Sequence, residues 1–228
     1  MAAEQNEGLT AEVEAEVGES AEQPPQLDPE VLERHREALG EVRQFGDPVL
    51  KSRASEVASF DADLAAEADR MIALMQNALG IGLAATQLGV MRRMLVFQAG
   101  PDATPRALVN PEVEWAGGDL VTAEEGCLSL SGVTVDVERP LHARVSGQDL
   151  GGEKVQIEAS GLEARVLQHE IDHLDGILIL DRTPREQRRA ALKALREGEH
   201  FDPSMLEPDS PDPAAADGPA SAEPEARE

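Results

Sequence analysis

The chain has 228 residues and a formal net charge of −25 at pH 7, which disfavours binding to free nucleic acid or to an anionic membrane surface. Its length suits one substantial domain with additional segments. Cys127 is the only cysteine, so an intramolecular disulfide framework is excluded.

Acidic residues are concentrated at both ends of the chain. Residues 1–28 hold eight acidic side chains and no Lys or Arg, and residues 203–228 hold seven acidic side chains and a single Arg. Because both segments are poor in large apolar residues, burial cannot offset the entropy lost on ordering. We therefore expect two disordered acidic tails, the second rich in Pro and Ala, around one folded domain at residues 29–202.

The start of the chain lacks the basic and apolar regions of a secretory signal peptide. No apolar run approaches the length of a membrane span. Together with the single cysteine, these features predict a soluble cytoplasmic protein that has no membrane partner.

The first predicted elements are two helices. A short helix at 30–39 is closed by Gly40, and a second is capped by Asp61 or Asp63 and runs to about Leu79, where Gly80 suits a helix stop. Six β-like runs follow, and Gly151-Gly152 predicts a hairpin turn between the last two. The runs are residues 92–98, 107–110, 120–123, 133–137, 143–148 and 153–158.

The remaining elements are mostly helical. Ser160 is a suitable cap for a helix at about 161–174, residues 177–180 resemble a short strand, and residues 185–197 form a strongly basic helix. Strands followed by helices, without βαβ alternation, predict an α+β fold. We expect antiparallel strands packed around the helix at 161–174, with a C-terminal helix.

A metal-site pattern, His169-Glu170-Ile171-Asp172-His173, lies on the predicted central helix. Residues four apart share a helical face, so His169 and His173 can direct imidazole nitrogens at one metal ion. Glu170, on the adjoining flank, can take a proton from water at the metal. The pattern also arises by chance, so two surface histidines beside an ion-paired Glu remain an alternative.

The third ligand of a hydrolytic metal site distinguishes the classes of metallohydrolase. A metzincin-like protease would carry a third His six residues after His173, but that residue is Ile179. A thermolysin-like protease would use a Glu from a later helix, for which Glu186 is a weak candidate. Upstream, Cys127 offers a thiolate, a soft ligand that would complete a Cys-His-His set.

Small residues dominate the segment Gly80-Ile81-Gly82-Leu83-Ala84-Ala85-Thr86-Gln87. Its paired glycines allow a close backbone approach to another element or to a ligand. A tight passage from helix to strand, packed on the core, is the alternative. No strand precedes the glycines as a dinucleotide site requires, so nucleotide binding is not expected.

Three segments, in this order, resemble the signature motifs of the peptide deformylases: residues 80–87, Glu125-Gly126-Cys127-Leu128-Ser129, and residues 169–173. The likeness extends over most of residues 42–195 and leaves out the acidic tails. It implies that residues 29–202 form a catalytic domain. It also implies a metal-dependent hydrolase that removes the formyl group from the N-terminal methionine of new polypeptides.

The resemblance also implies a metal centre. Cys127, His169 and His173 would hold ferrous iron, with zinc or nickel as substitutes. Glu170 would take a proton from water and then pass it to the departing amine, as general base and then general acid.

The other implied roles concern the substrate. The side-chain amide of Gln87 and the backbone N–H of Leu128 would stabilise the oxyanion. Gly82 would hydrogen-bond the substrate backbone, and Ile81 and Ile171 would form walls of the methionine pocket. Further implied features are a pair between Glu125 and Arg139 behind the cysteine, and Thr134 in the cleft where some family members carry Arg or Tyr.

The resemblance names partners as well: N-formyl-methionyl peptides or nascent chains, and the ribosome through the basic helix at Arg185 to Arg196. Two rivals remain. One is a protease that cuts internal peptide bonds, and the other is a deformylase-like protein that binds without catalysis.

Overall fold

The structure is a computed structural model that describes residues 28–206. The predicted N-terminal tail, apart from Asp28, lies outside these residues, as does the predicted C-terminal tail from residue 207 onward. The first residues of that second segment, Pro203–Met205, form a 3₁₀ helix, and the Asp202 side chain accepts a hydrogen bond from the Ser204 N–H at its start.

Four α-helices and seven strands make up the described chain. The helices are α1 Pro29–Glu41, α2 Ala62–Asn77, α3 Gly161–Leu174 and α4 Arg185–Glu197. The strands are β1 Gly82–Ala84, β2 Met94–Phe97, β3 Arg106–Ala116, β4 Leu120–Gly126, β5 Thr134–Pro140, β6 His142–Gln148 and β7 Lys154–Ser160.

The strands form two antiparallel sheets. The larger sheet has the order β1-β2-β3-β6-β7, and β4 pairs with β5 in a separate hairpin. This arrangement, with α3 packed on the large sheet and α4 near the C-terminal end, confirms the predicted α+β class.

β2 lies at the centre of the packing because both of its faces are buried. Successive side chains of a strand point to opposite faces. Leu95 therefore joins the core beneath α3 with Leu167, while Met94 joins the core beneath α2 with Met71. The sheet thus holds α3 in a fixed position, and α3 carries the predicted metal-site pattern.

A third apolar core lies between β5 and α4. Leu178, Ile179 and Leu180 are buried there against β5 and against the apolar side of α4. The predicted strand at 177–180 is therefore wrong. Gly176 turns the chain at a φ of +75°, and the Leu178 N–H donates to the Asp181 side chain at the start of a 3₁₀ helix, Ile179–Asp181.

Several helix ends also differ from prediction. Gly40 does not close the first helix, because α1 continues to Glu41. α2 is capped by Asp61, whose side chain accepts from the Leu64 N–H, but the residue that turns left-handed after α2 is Leu79, at a φ of +56°, rather than Gly80. Ser160 occupies the N-cap position of α3, yet its side chain makes no capping hydrogen bond.

Most strands are longer than predicted, β2 is shorter than the predicted run at 92–98, and one strand was missed. β3 continues past Pro111 to Ala116 because shifts of register let it follow β6 beyond the proline. β1 was not predicted, since only three residues pair with β2. The basic helix has the predicted bounds, Arg185–Glu197. No helix between residues 28 and 206 is long and apolar enough to cross a membrane.

Candidate metal centre

Three potential ligands converge where the end of β4 meets α3. Cys127 follows β4 directly, while His169 and His173 lie one turn apart on α3, and the ligand atoms of all three lie within 4.8 Å of one another. Cys127 Sγ lies 3.2 Å from His173 Nε2, and the two imidazole rings are 4.9 Å apart. One thiolate and two imidazoles suit a soft or borderline divalent cation.

Burial supports the use of His173 as a ligand. Its side chain is 1 % exposed, so the alternative of two surface histidines is wrong. Burial lowers the pKa of His173 well below its ordinary value, which favours the neutral imidazole that binds metals.

Glu125 fixes the orientation of His169 from behind. Its carboxylate lies 3.0 Å from His169 Nδ1, which leaves Nε2 of that ring for the metal site. It also accepts two hydrogen bonds from Arg139, at 2.6 and 2.9 Å, and one of 2.7 Å from Arg165. Burial alone would raise the pKa of Glu125, but the His169 and Arg139 hydrogen bonds outweigh it and lower the pKa to about 2.

The Arg139 side chain links this carboxylate to a second one. It is 3 % exposed and also donates to Asp172 on α3, at 2.8 Å. Asp172 in turn accepts from Arg182, which follows the 3₁₀ helix. The pair between Glu125 and Arg139 expected from the sequence is therefore present, and it belongs to a larger network that ties α3 to β4 and β5.

Glu170 has a buried carboxylate beside the three ligands. It is 4 % exposed, and its Oε2 has no hydrogen-bond partner among residues 28–206. Burial raises the pKa of Glu170 to about 7. A buried carboxyl group without a structural partner, lining the same cavity as Cys127, is free to exchange protons with a bound molecule.

Gln87 directs an amide donor at the same place. It lies in the 3₁₀ helix Ala85–Leu88, and its Oε1 accepts from the Ala84 N–H at 2.9 Å. Its Nε2 therefore faces Ser129 Oγ, at 3.1 Å, and Cys127 Sγ, at 3.7 Å. The carbonyl of Leu128 accepts from the Gln44 side chain at 3.1 Å, which holds the peptide bond between Leu128 and Ser129 in place.

Cys127, His169, Glu170 and Gln87 line a cavity of about 530 Å³. One wall of the cavity is apolar. It includes Ile81, as predicted, and further apolar residues that were not predicted to lie there. Gly82 and Thr134 line the cavity too. The other apolar residues of the wall are Leu79, Leu128, Leu162 and Val166.

Some side chains of the cavity differ from expectation. Ile171 does not line it and packs instead into the core beneath α3, because a residue two positions after His169 points to another side of the helix. His200, after α4, lines the cavity, and no sequence motif had indicated it.

The alternative third ligands do not reach the site. Glu186 is exposed on the first turn of α4, and Ile179 is buried in the third core. Within the described residues, the only cluster suited to a metal ion consists of Cys127, His169 and His173. The site therefore contains three potential ligands, a buried carboxyl group and an amide donor beside a cavity.

Comparison with known proteins gives a consistent result. Residues 39–189 match the family model described as polypeptide deformylase. The chain is 43% identical over 162 residues to a peptide deformylase from Parafrankia, covering 71% of this chain and 88% of the relative. It is 45% identical over 166 residues to peptide deformylase 1 from Corynebacterium glutamicum, covering 72% and 98%.

Solved structures are similar too. The crystal structure of peptide deformylase from Thermotoga maritima has 44% sequence identity and a TM-score of 0.61, covering 63% of this chain and 96% of that one. An inhibitor complex of Arabidopsis thaliana peptide deformylase 1B has 33% identity and a TM-score of 0.66, covering 69% and 88%. The range matched by the family model, residues 39–189, includes Cys127, His169, His173, Glu170 and Gln87.

Proposed function

This chain belongs to the peptide deformylase family, and from that premise we propose that it removes the N-terminal formyl group of new polypeptides by a metal-dependent hydrolysis in which Glu170 moves the proton. It is an enzyme of that family. The observation that carries the proposal is the convergence of Cys127, His169 and His173 beside the unpartnered carboxyl group of Glu170.

The proposed metal ligands are Cys127, His169 and His173, and the proposed metal is ferrous iron, with zinc or nickel as substitutes. When bound, the ion supplies Lewis acidity, which polarises oxygen ligands and lowers the pKa of water. The thiolate and the two imidazoles suit each of these ions, and three protein ligands leave room for a fourth.

Glu170 is the proposed general base. Its carboxylate takes the proton of the attacking water and then gives it to the amine that leaves the formyl carbon. Its burial and raised pKa support both roles, because a group with a pKa of about 7 exchanges protons readily near neutral pH.

Gln87 and Leu128 are the proposed oxyanion donors. Attack on the formyl carbon places negative charge on its oxygen, which a fixed amide N–H stabilises. The Gln87 Nε2 is held toward the site by the hydrogen bond between its Oε1 and the Ala84 N–H. The Leu128 N–H belongs to the next residue after the Cys127 ligand, and we assign it the second donor position.

The substrate would bind along β1. This strand is at the edge of the five-stranded sheet, so an extended peptide can pair with it at Gly82. Ile81 is 45% exposed and lines the cavity. We assign the methionine side chain to the apolar wall that Ile81 shares with Leu162 and Val166.

Partners and location follow from this function. The proposed substrates are N-formyl-methionyl peptides and nascent chains, and the proposed location is the cytoplasm, where new chains emerge.

α4 buries Gln187, Ala191 and Ala194, so Arg188 and Arg189 face solvent. We propose that this face of α4 contacts the ribosome, and co-sedimentation with ribosomes would test the contact. The double variant Arg188→Glu/Arg189→Glu should lose binding. Failure of the unaltered protein to bind would exclude the contact.

Formate release tests the main proposal directly. The metal-loaded protein should release formate from N-formyl-Met-Ala-Ser and should leave the internal bonds of a longer unformylated peptide intact. Cleavage of the unformylated peptide would favour the rival protease. Tight binding of formylated peptide without formate release would favour the rival that binds without catalysis.

A further inference from the structure

The segment that follows α4 forms part of the cavity, although it lies beyond residue 189, where the match to the family model ends. α4 ends at Glu197, and Gly198, at a φ of +69°, reverses the chain. Residues 199–206 then return along the loop between β4 and β5. That loop begins at the Cys127 ligand.

Backbone hydrogen bonds hold the returning segment on this loop. Phe201 pairs with Val133 in a parallel bridge: the Phe201 N–H donates to the Gly132 carbonyl at 3.0 Å, and the Thr134 N–H donates to the Phe201 carbonyl at 2.9 Å. The Phe201 side chain is 4 % exposed and packs into the core between β5 and α4. The position of the segment is therefore fixed by both bonding and burial.

The His200 side chain is consequently directed away from that core and toward the cavity. Neighbouring side chains of an extended segment alternate in direction, so His200 lies on the cavity side while Phe201 is buried. Its side chain is 58% exposed, which places it at the open rim rather than beside the buried Glu170. Its Nε2 lies 3.2 Å from Asp202 Oδ2, an interaction that restrains the ring and leaves Nδ1 for another partner.

The wall beside His200 is mixed in polarity. Leu130 and Val133 line it together with Thr134, whose hydroxyl has no hydrogen-bond partner among the described residues. The Thr134 hydroxyl is a polar group, which the Ile81, Leu162 and Val166 side chains of the methionine wall lack. A peptide whose formyl group lies at the metal site and whose methionine packs on the apolar wall must continue toward the rim.

We propose that His200 is a specificity-determining residue that binds the peptide backbone of the substrate beyond its second residue, so that formylated tripeptides and longer chains gain a contact that formyl-methionyl dipeptides lack. The inference rests on the proposed function. An extended backbone offers both N–H and C=O groups, and the free imidazole nitrogen can accept from one or, when it carries a proton, donate to the other.

The test compares two substrates, N-formyl-Met-Ala and N-formyl-Met-Ala-Ser, with the metal-loaded protein. In His200→Ala, kcat/KM for the tripeptide should fall by about three- to tenfold, which corresponds to the loss of one hydrogen bond. The change should appear as a higher KM, with kcat unchanged. The value for the dipeptide should not change. His200→Gln retains a donor and an acceptor and should restore part of the loss.

Met205→Ala is the matched control. Met205 lies on the same segment, is 55% exposed and does not line the cavity, so its replacement should leave both substrates unaffected. An equal loss on both peptides in His200→Ala, or no loss on the tripeptide, would overturn the inference. If the unaltered protein released formate from neither peptide, the proposed function itself would fail, which is a separate result.

Discussion

Gly82 lies directly against the carboxyl group of Glu170. A Cβ atom at residue 82 would come within 2.8 Å of Glu170 Cδ and 2.9 Å of Cγ, distances that real contacts do not reach. The small residue at this position thus provides the space that the side chain of Glu170, the proposed general base, occupies. The sequence pattern had suggested close backbone approach at the paired glycines, and Glu170 is the group that approaches.

Gly82→Ala should therefore reduce catalysis more than stability. The added methyl group displaces the end of a flexible side chain, which is cheap for the fold, but a misplacement of about 1 Å can cost about 100-fold in rate. We expect kcat/KM for a formylated peptide to fall by about that factor with unchanged metal content. Gly118→Ala is the control, because a Cβ there meets no atom within 4 Å. Equal activity in the two variants would contradict the assigned contact.

Glu170→Gln should separate proton transfer from metal binding. The amide has nearly the same shape but cannot take a proton from water, so kcat should fall by about 10²–10⁴-fold. Metal content, measured by elemental analysis, should stay at the level of the unaltered protein because Glu170 is not one of the three proposed ligands. Unchanged deformylation would exclude the proposed mechanism.

Cys127→Ala should remove the metal. Two imidazoles alone form an incomplete site, so dialysis against a weak chelator should strip the variant under conditions in which the unaltered protein keeps its ion. His142→Ala is the control, since His142 lies on β6 and does not belong to the metal cluster. Retention of a full equivalent of metal by the Cys127 variant would mean that another residue completes the site.

Arg165→Met should weaken metal binding without touching a ligand. Arg165 donates to Glu125 at 2.7 Å and to the carbonyls of Val137 and Val121 at 3.0 and 2.6 Å, so it holds the carboxylate that orients His169. Loss of such a supporting group typically lowers metal affinity by about 10- to 100-fold. Metal competition titrations would measure the change.

Arg144→Met provides the comparison for Arg165. Arg144 also pairs with a glutamate, Glu158, but both side chains are largely exposed, and such pairs contribute about 0–1 kcal/mol. Its replacement should leave metal affinity unchanged. If the two arginine variants behaved alike, a role for Arg165 through Glu125 would be ruled out.

Leu79→Gly should stabilise the protein and weaken substrate binding. Leu79 has a φ of +56°, a conformation that costs about 1–2 kcal/mol for a residue with a side chain, whereas the added freedom of glycine in the unfolded chain costs about 0.5–1 kcal/mol. The free energy of unfolding should therefore rise by about 0.5–1 kcal/mol. KM should also rise, because the Leu79 side chain lines the cavity and is 53% exposed.

Leu79→Ala distinguishes the two effects. It removes the same wall of the cavity but keeps a Cβ at the left-handed position, so KM should rise without the gain in stability. Urea unfolding and steady-state kinetics would measure both quantities. A stability gain in the alanine variant would show that backbone strain is not the cause.

Local signals in the sequence were enough to predict α3, which carries two of the three proposed metal ligands, and α4. α3 and α4 were predicted within a residue or two because their ends and their amphipathic faces depend on neighbours in the chain. β1 was missed because its identity depends on pairing with β2, at Gly82 with Phe97. The run at 177–180 was taken as a strand because burial by α4 and burial in a sheet give the same apolar pattern.

The residues of the site also divide into those that local sequence patterns or motifs indicate and those that depend on distant contacts. His169 and His173 follow from helical spacing, and Cys127 followed from the resemblance to the family motifs. Arg165 and His200 were not identified, because each acts through contacts with residues about 40 or more positions away. His200 also lies outside the family match, so neither spacing nor resemblance could indicate it.

The bridge between Phe201 and the loop after Cys127 has a consequence for the order in which the protein is made. The proposed metal ligands precede residue 201 in the chain, but Val133 in the adjoining loop has no partner for its bridge until residue 201 has been synthesised and has left the ribosome. The part of the cavity that His200 lines is therefore the last to form, because it depends on a bridge between residues that are far apart in the chain.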